Sequence, residues 1–149
     1  MTQEILVLGG GATGLTIATE LAATGQDVTL IDDATTASRA RAAGVATREV
    51  ALDTAESIDG QTAATVVIAT PSDARNLLLG AKAPRLFGAD RVVALLHDPD
   101  RREAFEAADI ETICVSEALT RATTDTFALE DPTPTNLSIE TSERKGLRG

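Results

Sequence analysis

The stretch Ile5-Leu-Val-Leu-Gly-Gly-Gly-Ala-Thr-Gly14, answered by Val28-Thr-Leu-Ile-Asp32, decides the fold. An apolar strand runs into a turn whose Gly9, Gly11 and Gly14 fit the spacing G-x-G-x-x-G, and a helix pattern follows at once. Each glycine is there for a steric reason. Gly9 permits the tight turn, Gly11 lets a pyrophosphate approach the backbone, and Gly14 allows close contact between helix and sheet. The N–H groups of Gly10, Gly11, Ala12, Thr13 and Gly14 surround that helix start, where free amides and the helix dipole favour phosphate. Asp32 lies 18 residues past Gly14, at the end of the next apolar strand, where a carboxylate can accept hydrogen bonds from ribose hydroxyls. A glycine-rich turn alone is weak evidence. Here strand, turn, helix, strand and acid occur in order, and that context predicts a nucleotide site.

Working outward, apolar runs recur at Ile5–Leu8, Val28–Ile31, Thr47–Leu52, Thr65–Ala69, Val92–Leu96 and Glu111–Val115, with helical patterns between most of them. The alternation predicts an α/β fold: a Rossmann-type, doubly wound parallel sheet of about six strands in a single domain over residues 1–129. Gly14, Ala18, Leu21 and Gly25 give the first helix a narrow small-residue face, and Gly25 ends it. Only a short connection, Thr54 to Gly60, is expected between the third and fourth strands. Ser72 is placed to cap a helix over Asp73–Phe87, in which Pro84 removes the hydrogen bond to residue 80, so a kink or early end is expected there. His97-Asp-Pro99 should open another helix and residues 116–128 a last one. From residue 130 to 149 the chain is polar and proline-containing, and a flexible tail is the expectation.

Composition limits the function classes. The net charge is −10, with eleven Arg but only Lys82 and Lys145. Such a surface repels nucleic-acid phosphate, so DNA and RNA are excluded as expected partners. Acid excess with scarce lysine also suits a halophilic cytoplasm, where molar salt screens self-repulsion. Met1-Thr-Gln-Glu runs straight into the first strand and no 18-residue apolar stretch occurs, so neither membrane insertion nor export is expected, and the chain is placed in the cytoplasm. The single Cys114, between Ile113 and Val115, reads as a buried, inert thiol. The Asp32-Asp33 pair lacks a cluster of further metal ligands, and no metal site is expected.

The chain resembles the nucleotide-binding domain of the regulators of potassium conductance, the RCK N-terminal or TrkA-N type, from about residue 4 to 120. The likeness includes Ile31-Asp32, an Asp53-centred segment where the family has Gly-Asp-Ala, Ile68-Ala-Thr70 followed by Asp73 and Asn76, Phe87-Gly88, and Val92-Val-Ala followed by Asp98-Pro99. It implies a non-catalytic regulatory domain that binds NAD(H), AMP, ADP or ATP and passes the ligand state to a membrane potassium channel or transporter subunit. By that resemblance Gly9, Gly11 and Gly14 face the diphosphate and Asp32, with Asp33 beside it, the adenosine ribose. Asp53 and Thr54 would lie near the adenine. Thr70, with Pro71, would border ribose and diphosphate, whereas Asp73 and Asn76 read first as cap and support of their helix. A homodimer or larger ring is implied, with Ala118, Leu119, Ala122, Phe127 and Leu129 able to form a dimer surface or to cover their own core. Attachment to the membrane would run through the transporter partner.

Two departures bear on the ligand. Ala12 and the run Ala94-Leu-Leu-His-Asp-Pro99 stand where the family often writes Gly-x-Gly-Arg and Ala-Arg-Val-Asn-Asp-Pro, so two phosphate-facing cations are missing. A charge-assisted contact is worth roughly 1.5–3 kcal/mol, so ATP should suffer more than NAD or AMP. Asp32 also opposes the 2′-phosphate of NADP. His97, the one histidine, reads first as a helix-start residue making local hydrogen bonds. The absence of tyrosine removes the Tyr-Lys acid/base pair of one class of dehydrogenase, which counts against the first alternative, a cofactor-binding subunit of an NAD-dependent oxidoreductase. The missing arginines favour the second, a degenerate interaction module that has lost its ligand.

Overall fold

The computed structural model describes residues 4–51, 58 and 60–130. Six strands, β1 (Glu4–Leu8), β2 (Asp27–Asp32), β3 (Ala46–Glu49), β4 (Thr65–Ile68), β5 (Arg91–Leu96) and β6 (Glu111–Cys114), are interleaved with helices α1 (Ala12–Ala23), α2 (Ala34–Ala42), α3 (Asp73–Phe87) and α4 (Arg102–Ala107), with no helix among the described residues between β3 and β4, and α5 (Val115–Glu130) follows. The sheet is parallel throughout, in the order β3-β2-β1-β4-β5-β6. Parallel strands buried on both faces need continuous apolar runs, and β1 shows why. Ile5 and Val7 join Val28, Leu30, Ala18 and Ala40 on one face, while Leu6 and Leu8 join Val66, Ile68, Leu79 and Phe87 on the other.

The helices form where small or apolar residues recur at helical spacing and where caps stop them. Along α3, Asn76, Leu79, Gly80, Ala83 and Phe87 form one buried face. The Ser72 side chain accepts from Arg75 N–H at its start, and left-handed Gly88 (φ 67°) ends it. No early end occurs at Pro84: the helix continues to Phe87. Burial of Ala83 and Phe87 on the core, and a hydrogen bond from Ala63 N–H to the Phe87 carbonyl, hold its last turn. Four residues before the proline, Gly80 packs so closely that a Cβ would stand 2.6 Å from Ile110 Cδ1.

The third strand stops at Glu49 rather than reaching Leu52, and most of the expected short connection after it lies outside the described residues. His97-Asp-Pro99 does open a helical segment, a 3-10 turn over Pro99–Arg101 capped by Asp98 and continued by α4. Cys114 is buried at the end of β6. The described residues divide into two compact units, one ending at Val115 and the other starting at Ser116. The first holds the sheet; in the second, α5 carries Leu119 and Phe127 exposed. No helix among the described residues is long and apolar enough to cross a membrane.

Candidate functional site

Strand order reverses between β1 and β4, because the chain winds outward from β1 through β2 to β3 and then returns to start again at β4. In a doubly wound sheet this reversal opens a crevice at the carboxyl ends of the strands. A cavity of about 300 Å³ lies there, lined by Gly10, Gly11 and Thr13 after β1, Ala69 and Pro71 after β4, Leu95 and His97 at the end of β5, and Val115.

The glycine turn is shaped by conformations closed to other residues. Gly9, Gly10 and Gly11 all have positive φ, at 70°, 95° and 56°. A Cβ on Gly14 would sit 1.8 Å from the Gly9 carbonyl oxygen, so the close approach assigned to it is a contact of the helix with the turn itself. A Cβ on Gly10 would meet the Ala69 carbonyl oxygen at 2.7 Å, a constraint that the G-x-G-x-x-G spacing does not reveal because Gly10 occupies a free position in it. At Gly11, by contrast, nothing lies within 4 Å of the place a side chain would take. Bulk is therefore forbidden at Gly10 and Gly14 by the protein, whereas the space beside Gly11 is open. No side chain caps the first turn of α1.

Asp32 closes the other side of the turn. Its Oδ2 accepts the Gly11 N–H at 3.0 Å and its Oδ1 the Asp33 N–H at 2.7 Å, with the residue 8% exposed. A carboxylate offers about four acceptor positions, so two remain for hydroxyl donors. The Gly9 N–H, bonded to the Ile31 carbonyl at 2.8 Å, further ties β2 to the turn. The adjacent Asp33 is committed locally: its carboxylate accepts from Thr36 N–H and caps α2.

A second network braces the opposite wall. The buried Asn76 amide donates to the carbonyls of Thr70 (3.0 Å) and Leu95 (2.9 Å), joining the ends of β4 and β5. Thr70 Oγ1 donates to Asn76 Oδ1 and accepts from Ser72 N–H, so its hydroxyl is used within the protein. Asp73 accepts the N–H groups of His97 and Asp98 at 2.8 and 2.9 Å. The hydrogen bonds of His97 are not the local ones expected: its N–H donates to Asp73, 24 residues away, its Nε2 bonds to the Thr70 carbonyl, 27 residues away, and the residue also lines the cleft. Its position immediately after the apolar run of β5 was the available signal, since strand ends form this edge.

Gly10, Gly11, Thr13 and Pro71 thus meet at one cavity with Asp32 bonded to its turn, while Asp33 and Thr70 are engaged beside it. Ala12 opens α1 and is exposed. Asp53 and Thr54 lie outside the described residues. No arginine or lysine is found among the described residues that line the cavity, and Leu95 forms its apolar wall. A larger cavity, about 690 Å³, lies between α3 and α4 around Leu77, Leu78 and Phe105, away from the glycine turn.

Comparison with known proteins places this geometry. The TrkA-N domain model matches residues 5–116. A Trk system potassium uptake protein TrkA homolog from Methanothermobacter thermautotrophicus is 31% identical over 114 residues, 73% of this chain and 52% of that protein. The chain thus spans about half the length of the curated relative it matches. Among solved structures, the NAD(P)-binding domain of an exopolyphosphatase-related protein from Archaeoglobus fulgidus superposes with a TM-score of 0.73 at 21% identity, covering 85% of this chain and 98% of that one. The TrkA-N domain of the inner membrane protein ybaL from Escherichia coli gives 0.67 at 14% identity, covering 85% and 97%. At these identities the two structures establish the fold.

Proposed function

The chain belongs to the TrkA-N domain family, and from that premise we propose that it is a regulatory, non-catalytic nucleotide-binding component of a potassium-transport system, with NAD(H) as its ligand. The observation that carries this reading is the pairing of an open Gly11 with the Asp32 carboxylate hydrogen-bonded to that glycine's N–H. Diphosphate would approach at Gly11 and the first turn of α1. The ribose hydroxyls would take the acceptor positions left on Asp32, and the adenine would extend toward Asp53 and Thr54. Pro71 and Leu95 would form the walls.

A cavity without arginine or lysine suits a ligand of low charge, so NAD or AMP is preferred to ATP. The Asp32 carboxylate disfavours NADP by repulsion of its 2′-phosphate. Regulation would work by linkage: a ligand that favours one arrangement of a homodimer or ring shifts its population and with it the state of the membrane channel or transporter subunit. The exposed Leu119 and Phe127 of α5 support a self-associating surface. In this reading residues 1–129 act as the nucleotide-binding domain and 130–149 as a tail, in the cytoplasm beside the membrane partner.

Calorimetric titration of the folded chain in concentrated potassium chloride with NAD, NADH, NADP, AMP, ADP and ATP tests it. NAD or NADH should bind more tightly than ATP and NADP. Tighter ATP binding would reverse the ligand assignment, and no binding of any nucleotide would overturn the function.

A further inference from the structure

One titratable side chain, His97, is found among the described residues that line the cavity at the strand-order reversal. It is exposed, and its ring Nε2 stands 3.1 Å from the Thr70 carbonyl oxygen. A carbonyl only accepts, so Nε2 carries a proton in either charge state. That leaves Nδ1 as the atom that gains or loses the second proton. We propose that His97 is the anion-recognising residue of this cleft and that its protonation sets the affinity for a nucleotide diphosphate.

This role rests on the nucleotide-binding reading above and adds to it a residue and a dependence on pH. Two observations support it. The ring is fixed at one nitrogen by Thr70, while the backbone beneath it is fixed by Asp73, so the imidazole is already positioned before a ligand arrives. The other cavity-lining residues carry no charge, so a diphosphate there meets only backbone dipoles and the neutral Thr13 hydroxyl until the histidine ionises.

Charged neighbours on α3, the turn after β5 and the end of β2 leave this role open. From α3, Asp73 is committed to the N–H groups of His97 and Asp98. On the following turn, Asp98 lies 3.8 Å from the Arg101 guanidinium. The end of β2 contributes Asp32, bound to the Gly11 and Asp33 N–H groups, and the lining residues after β4, Ala69 and Pro71, carry no charge. The sign is therefore set by the ligand. An anion binds the imidazolium better than the neutral ring, so affinity rises as pH falls and the ring gains its second proton, and is lost as pH rises.

The experiment is calorimetric titration of the full chain with NAD, whose diphosphate keeps its charge throughout, at about pH 5.5 and about pH 8 in buffers of different ionisation heat. NAD should bind about tenfold more tightly at the lower pH. At intermediate pH, binding should be accompanied by proton uptake. His97→Gln, which retains a donor for the Thr70 carbonyl, should bind at both pH values with the weaker affinity. His97→Arg should hold the tighter one at both, and so guards against a Gln variant that folds poorly. Equal affinity of the unaltered chain at the two pH values, or an unchanged pH dependence in His97→Gln, would overturn the proposal and leave the nucleotide reading intact. No NAD binding at either pH by a chain whose circular dichroism is that of the folded protein would overturn both.

Discussion

At the scale of single residues, Gly14 and Gly11 separate what the fold demands from what a ligand demands. Gly14→Ala drives a methyl into the Gly9 carbonyl at 1.8 Å, so the variant should lose at least about 3 kcal/mol or fail to fold, read as the midpoint of urea denaturation. Gly11→Ala meets open space but holds a positive φ of 56°, so it should cost only about 1–3 kcal/mol and stay folded, while NAD affinity falls by at least about tenfold. A Gly11→Ala variant that binds NAD normally would remove the diphosphate from this turn. Asp32 stands out in the sequence as the acid 18 residues past Gly14, at the end of the second strand of such a unit. Its bond to the Gly11 N–H does not, since it depends on side-chain geometry that spacing does not encode.

At the scale of elements, the sequence carried the strands and helices because hydrophobic periodicity is strong where both sheet faces are buried. The early end offered at Pro84 does not occur, because tertiary burial of Ala83 and Phe87 outweighs one lost hydrogen bond. The bracing of β4 and β5 by Asn76 and Asp73 was partly visible as helix support, but the partners, Leu95, His97 and Asp98, lie 19 to 25 residues away and no local pattern points to them. Asn76→Leu removes the donor to two carbonyls and the acceptor for the Thr70 hydroxyl. It should destabilise the protein by at least about 2 kcal/mol, measured by urea denaturation; a change below about 0.5 kcal/mol would show the network to be replaceable. At the far end of the sheet, the Arg91 guanidinium donates to both Glu111 oxygens at 2.8 and 2.9 Å, across β5 and β6. Those hydrogen bonds hold the Glu111 carboxyl below the usual glutamate range, with desolvation opposing and charge attraction adding to them. The pair's stabilising contribution is thus present above the ordinary glutamate pKa and lost as pH falls through the lowered one. A carbon-detected NMR titration should find Glu111 titrating lower than exposed glutamates, and Arg91→Gln should return it to their range.

At the scale of the whole molecule, a net charge of −10 on 149 residues makes self-repulsion a general term in stability. Raising potassium chloride from about 0.1 M to about 1 M shortens the Debye length from about 10 Å to about 3 Å, so the thermal midpoint should rise with salt. A midpoint that falls or stays level would argue against adaptation to molar salt. The same charge gives weight to the few groups that can attract an anion, and in the strand-end cavity those are the first turn of α1 and His97. The proposed function turns on a diphosphate lying at that turn with the ribose on Asp32. Titration of the nitrogen-15-labelled chain with NAD, followed amide by amide, tests this most directly. Saturable shifts should be concentrated at Gly10 to Gly14, at Asp32 and Asp33 and at His97; shifts centred elsewhere, or none in the folded protein, would contradict it.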